Sequence, residues 1–210
     1  MAERQLTSEY VLLGLLASRD WSAYELAEQV GRGVDQVWPR AVRQRYNTLK
    51  RLVVEGWVQT RTESTGNRER TIYTITDSGR QALSSWLGSE LHASSLEFEG
   101  IVRVLAADQG TVEQLRANLR QIVDQAQAAL DLFVSHASAL SNNGGTFPER
   151  VHLFAMGNRF MIGHYSNIIE WGNWALEESA DWTDTEVATK EFERTLAMLR
   201  PALDLLPPQR

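Results

Sequence analysis

Between positions 40 and 51 lie Arg40, Arg43, Gln44, Asn47, Lys50 and Arg51, side chains drawn from cations and hydrogen-bond donors. A guanidinium matches the two acceptors on a guanine edge, and a carboxamide matches the donor–acceptor pair of adenine. Lysine and further arginines suit phosphate, which fixes register without reading sequence. Arg45 belongs to the same stretch, and Arg61, Arg68 and Arg70 cluster about Gly66-Asn67, a turn signal between two β-prone runs. Residues 32–51 hold six Lys and Arg against Asp35 alone. Residues 1–80 hold 12 basic against 10 acidic side chains, and residues 81–210 hold 9 against 17. On a chain of net charge −6, such a local basic stripe is the footprint of one element that meets double-stranded DNA. A solvated helix face would carry the same charges.

Other chemistries find little support. The sequence has no cysteine, so disulfides, thiolate zinc sites and cysteine nucleophiles are excluded. His92, His136, His152 and His164 include no pair at the i, i+4 spacing of a zinc-binding helix. There is no Gly-x-Ser-x-Gly and no glycine-rich phosphate loop. Neither an enzyme, a cofactor nor a metal is expected. Tyr165, Trp171 and Trp174 stand apart as interface anchors, or as the lining of an apolar cavity for a small aromatic effector. Core packing is the competing reading.

Spacing also defines the elements that must hold these groups. Val42, Tyr46, Leu49, Leu52 and Val53 recur at helical steps as far as Gly56, with the cationic row on the opposite side and Pro39 in the first turn. Upstream, Tyr10-Val-Leu-Leu with Leu15 and Leu16 predicts a short, mostly buried helix ending near Ser18. Ser22-Ala-Tyr-Glu25 has the form of a capping box for a second helix, which Gly31 ends. Trp57–Glu63 and Arg70–Ile75 predict a hairpin whose turn is residues 64–67, with Arg61, Arg68 and Arg70 near its tip. Asp77–Leu87 predicts a closing helix. Three helices, a hairpin and a helix make a winged helix-turn-helix domain over residues 1–87.

Residues 88–210 read as all helix, giving a mainly α chain with a small β-hairpin wing. A short helix over 98–107 precedes one whose Val112, Leu115, Leu119, Ile122, Ala126, Ala129 and Phe133 form a coiled-coil-like seam. A loop over 141–146, a helix from Pro148 and a last helix over 184–200 follow. One amphipathic helix cannot bury that seam without partners, so this half is expected to hold a homodimer, with packing of some of the seam within its own chain as the other outlet. No run approaches the length of a bilayer span. The apolar run Tyr10–Ala17 lacks the basic start and cleavage site of a secretory signal, so a cytoplasmic protein is expected.

Tyr10-Val-Leu-Leu-Gly-Leu-Leu16, Tyr24-Glu-Leu26, Trp38-Pro39, Tyr46-Asn-Thr-Leu-Lys-Arg-Leu52, Glu55-Gly-Trp-Val58 and Tyr73-Thr-Ile-Thr-Asp-Ser-Gly-Arg80 occur in this order. In that order and spacing they resemble the PadR family of transcriptional regulators over residues 8–87. Gly163-His-Tyr-Ser-Asn-Ile-Ile-Glu-Trp171 resembles, more weakly, the helical C-terminal region of longer members. The resemblance implies a homodimer whose second half supplies much of the interface. Each winged helix would set its third helix in a major groove of an inverted-repeat operator, with Tyr46 contacting phosphate. Some members bind aromatic or drug-like effectors. Where many members carry small or hydroxyl residues ahead of the tyrosine, this chain has Arg43-Gln-Arg45, so an operator sequence does not carry over.

The reading is thus a sequence-specific DNA-binding regulator, a repressor. The alternatives are a winged-helix protein-interaction module or a small-molecule sensor without DNA specificity. Steep salt dependence, from counterion release, separates DNA binding from protein binding.

Overall fold

The computed structural model describes residues 2–31, 34–38, 40–65, 68–185, 193–194, 196–198 and 200. They fall into two compact units, Met1–Ser94 and Ser95–Arg210.

The first unit runs α1 (Ala2–Leu16), β1 (Trp21–Ser22), α2 (Ala23–Gly31), α3 (Val34–Val37), α4 (Arg40–Val54), β2 (Val58–Thr65), β3 (Arg68–Ile75) and α5 (Asp77–Leu87). Hydrophobic spacing predicts neither β1 nor α3, because each spans only about one period of the pattern that would announce it, too little for a repeat to show. The sheet is antiparallel in the order β1-β3-β2. β1 adds Trp21 opposite Tyr73 and Ser22 opposite Ile72. The β2–β3 ladder extends from Val58 opposite Ile75 to Thr65 opposite Arg68, so the turn is shorter than residues 64–67. Gly66 and Asn67 lie outside the described residues, as do Arg32 and Pro39.

Local chemistry sets the boundaries. The Ser22 hydroxyl accepts from the Glu25 N–H at 3.2 Å while the Glu25 carboxylate accepts from the Ser22 N–H at 2.9 Å, the reciprocal pair of a capping box. Gly56 ends α4 at φ 71°. The Gly56 N–H then donates to the Val53 carbonyl and the Trp57 N–H to the Leu52 carbonyl, the two bonds of a Schellman motif. Leu12, Leu13 and Leu16 from α1, Leu26 and Val30 from α2, Leu49 and Leu52 from α4, and Trp21, Val58, Ile72 and Ile75 from the sheet are buried as the core.

The second unit contains α6 (Glu99–Leu105), α7 (Val112–Asn143) and α8 (Val151–Glu178), the last entered through a 3₁₀ turn at Pro148–Arg150. Thr111 and Gln114 form a capping box at the start of α7. Gly144 and Gly145, at φ 75° and 70°, end it, so the helix takes the first three residues of the loop expected at 141–146. Along α7, Val112, Leu115, Leu119, Ile122, Ala126 and Phe133 are buried. Phe98 and Val104, with Ile168, Trp171, Ala175 and Leu176 of α8, pack against the Leu115–Leu119–Ile122 centre.

The centre of the seam is therefore filled by the chain's own helices, the intrachain share of the packing that its apolar face requires. Periodicity reports that a face is buried, not what buries it. Arg116 ties down the chain just past the end of α8 by donating to the carbonyls of Ser179, Ala180 and Trp182. Among the described residues, no helix is long and apolar enough to cross a membrane. The expected last helix over 184–200 lies largely outside the described residues.

Candidate nucleic-acid interface

Helix α4 divides cleanly. Thr48, Leu49 and Leu52 are buried, whereas Tyr46, Asn47 and Lys50 are exposed. Tyr46 is 54% exposed, at the border where a ring can pack while its hydroxyl faces outward. The side chains of Arg40, Arg43, Gln44 and Arg45 lie outside the described residues; α4 carries their backbone. Steps of four and seven residues align Arg43 with exposed Asn47 and Lys50. The same steps align Gln44 with Thr48 and Arg51, and Arg45 with Leu49 and Leu52.

Arg51 does not join the exposed cationic row expected from sequence. Its guanidinium pairs with Glu9 of α1, a side chain only 6% exposed. Position 51 lies on the flank of α4 that meets α1, so its charge neutralises a buried carboxylate. Burial nevertheless outweighs the nearby Arg51 and lifts the Glu9 carboxyl above the ordinary glutamate range. The Trp38 Nε1–H donates to the Ser8 hydroxyl at 3.0 Å, a second tie between α1 and the approach to α4. Both contacts fix how far α4 stands from the core.

The hairpin carries a chain of alternating charge. Glu63 stands directly opposite Arg70, and Arg70 Nη2 lies 3.0 Å from Glu63 Oε2. Arg61, two residues from Glu63 and on the same face, donates to Glu63 Oε1 from Nε at 3.2 Å and Nη2 at 2.9 Å. Arg61 Nη1 donates to Asp20 Oδ2 at 2.5 Å and to the Thr74 hydroxyl at 2.9 Å. These guanidiniums hold the Glu63 and Asp20 carboxyls below their ordinary range. Arg61 is thus not at the tip, as expected, but within the ladder, with its donors directed at Asp20, Glu63 and Thr74. Arg68 occupies the last rung, opposite Thr65, and its side chain lies outside the described residues. Sequence reasoning missed Asp20 and Glu63. The available signal was Glu63 itself, which a hairpin in this register places across from Arg70.

Of the three aromatic residues set apart in the second half, Tyr165 stacks on Phe133 at 5.8 Å and Trp171 packs into the α7–α8 core. Trp174 is 45% exposed. A hollow between α6 and α7, lined by Phe98, Gly100, Arg103, Asn118, Ile122 and Gln125 among others, includes none of the three. Among the described residues, no group of three or more His, Asp or Glu is placed to hold a metal ion.

Residues 12–85 match the family model described as the transcriptional regulator PadR-like family. Over 80 residues the chain is 38% identical to the negative transcriptional regulator PadR of Bacillus subtilis (strain 168), covering 38% of this chain and 44% of that relative. The match thus spans less than half the length of that curated relative. The crystal structure of Bacillus subtilis PadR in complex with operator DNA aligns with a TM-score of 0.71 at 22% identity, covering 81% of this chain and 98% of that one. The structure of the same protein in complex with p-coumaric acid aligns with a TM-score of 0.66 at 20% identity, covering 82% and 98%. At these identities the likeness establishes the fold, a winged helix followed by long C-terminal helices.

Proposed function

We propose that the chain, whose residues 12–85 match the transcriptional regulator PadR-like family, belongs to that family and is a DNA-binding regulator, a repressor acting as a homodimer on an inverted-repeat operator. The observation that carries this reading is the division of α4, whose Leu49 and Leu52 are spent in the core while Asn47 and Lys50 face outward. Such a helix can enter a major groove without disturbing the fold. Arg43 and Asn47 are the base-reading residues, with Gln44 beside them. Arg40, Lys50 and Tyr46 meet phosphate, and Arg45 extends the basic stretch. Arg68 brings the wing to the backbone or minor groove, and Arg70 adds to that contact to the extent that its partner Glu63 releases it. Arg51 and Arg61 act within the domain, through Glu9 and Asp20.

Residues 1–87 form the DNA-binding domain and residues 88–210 the dimerisation domain. Support for a dimer comes from the start of α8, where Leu153, Met156 and Phe160 recur at steps of three and four and are 58%, 72% and 68% exposed. Unpartnered apolar side chains in such a row are the usual mark of an interface. A small aromatic effector acting on the second half, near Tyr165, Trp171 and Trp174, is supported by the Bacillus subtilis PadR structure with p-coumaric acid. A cytoplasmic location follows from the same reading, since the regulator works where the DNA it binds lies.

The test is binding to an operator set in which each base pair is varied in turn. Asn47→Ala should lose about 1–3 kcal/mol at particular base pairs, whereas Tyr46→Phe and Lys50→Ala should weaken all operators alike. A uniform loss for Asn47→Ala, or no loss for any of the three, would mean that α4 is not the reading head.

A further inference from the structure

The wing's charges are bound to one another before any DNA arrives. Arg61 and Arg70 are 50% and 49% exposed, and Glu63 between them is 34% exposed, so a phosphate can reach the group and compete. Glu63 uses one oxygen for Arg61 and the other for Arg70, and Asp20 takes a further Arg61 donor. Within this group two carboxylates balance two guanidiniums, so two of the wing's cations are already neutralised. The backbone register makes the bridge geometric rather than accidental. Glu63 faces Arg70 on one rung, and Arg61 is its neighbour on the same face.

From this arrangement we propose that Glu63 is a specificity-determining residue of the wing, withholding Arg61 and Arg70 from phosphate and so keeping sequence-independent DNA binding weak. The inference rests on the reading of the chain as DNA-binding. Phosphate contacts raise affinity for every sequence alike, whereas contacts from α4 discriminate. A restrained wing lowers the first contribution without touching the second, and the ratio of specific to non-specific affinity rises. Glu63→Gln keeps the size of the side chain and one acceptor but removes the charge that holds both guanidiniums.

The experiment measures binding of the full chain to a labelled duplex of random sequence across a salt series. Each extra phosphate contact adds about 0.9 to the salt slope, which is about a three-fold larger loss of affinity between about 50 and 200 mM salt. Glu63→Gln should therefore bind this duplex several-fold more tightly than wild type at low salt, with a slope steeper by about one. In a background carrying both Arg61→Ala and Arg70→Ala the gain should fall to less than half, because the substituted residues act through one another. Unchanged or weaker binding by Glu63→Gln overturns the proposal. So does a gain that persists undiminished when both arginines are replaced, since Glu63 would then act only by its own repulsion of phosphate. If neither wild type nor variant binds the duplex at low salt, the DNA-binding reading itself falls and takes this inference with it.

Discussion

Gly79 sets two effects of opposite sign against each other, and Gly79→Ala decides between them. The residue lies in the first turn of α5, buried, with its N–H donating to the Thr76 hydroxyl at 3.1 Å. Propensity alone favours alanine in a helix by about 0.8–1.0 kcal/mol, less in a first turn. A Cβ at this position, however, would fall far inside contact distance of the Trp57 carbonyl oxygen and 2.9 Å from Ile75 Cγ1. That carbonyl is not free to retreat, because it accepts from the Thr76 N–H at 3.0 Å. Overpacking a tight site costs about 1–3 kcal/mol, and weakening the Thr76–Trp57 bond adds about 1 kcal/mol. The net expectation is a destabilisation of about 1–3 kcal/mol. Amide hydrogen exchange in the β2–β3 ladder reads this unit without interference from the second. Protection there should fall by about 5- to 150-fold, the same free energy expressed as an equilibrium constant. Unchanged or increased protection would refute the reasoning and hand the decision to propensity.

Leu119→Ala, at a side chain 1% exposed in the middle of α7, should cost about 2–5 kcal/mol in urea unfolding of the second unit. A loss below about 1 kcal/mol would mean the seam is not packed as described. Glu9 carries a testable pH dependence. Its folded pKa is raised by burial, so its stabilising contribution is complete below the ordinary glutamate value and is lost as pH rises through the folded value. Wild type should therefore gain stability relative to Glu9→Gln as pH falls through that window, and a constant difference would contradict it. Phe160→Asp should shift sedimentation toward monomer with little change in unfolding, and an unaltered dimer would move the interface away from the start of α8. Arg61→Ala should lower the stability of the first unit slightly and leave operator affinity close to wild type, a large loss of affinity being the contrary result.

What was legible in the sequence was mostly local. The capping box at Ser22 and Glu25 and the αL stop at Gly56 depend on residues within one turn of each other. The two faces of α4 follow from its own periodicity. Contacts set by packing between distant segments were harder to read. Two residues of β1 become a strand only because Tyr73 and Ile72 lie beside them. Arg51 looks like one more exposed cation until α1 brings Glu9 against it. Arg61 and Arg70 look like free charge until the hairpin register sets Glu63 between them. The seam from Val112 to Phe133 announced its burial, but only the fold reveals that α6 and α8 fill it.

The most direct test of the central claim is recovery of genomic DNA fragments by the purified full chain, followed by affinity for the recovered sequence at rising salt. The account predicts fragments that share one inverted repeat, bound with affinity that falls steeply as counterions compete, and bound less well by Asn47→Ala. Fragments with no common sequence, or binding indifferent to salt and to Asn47→Ala, would contradict it.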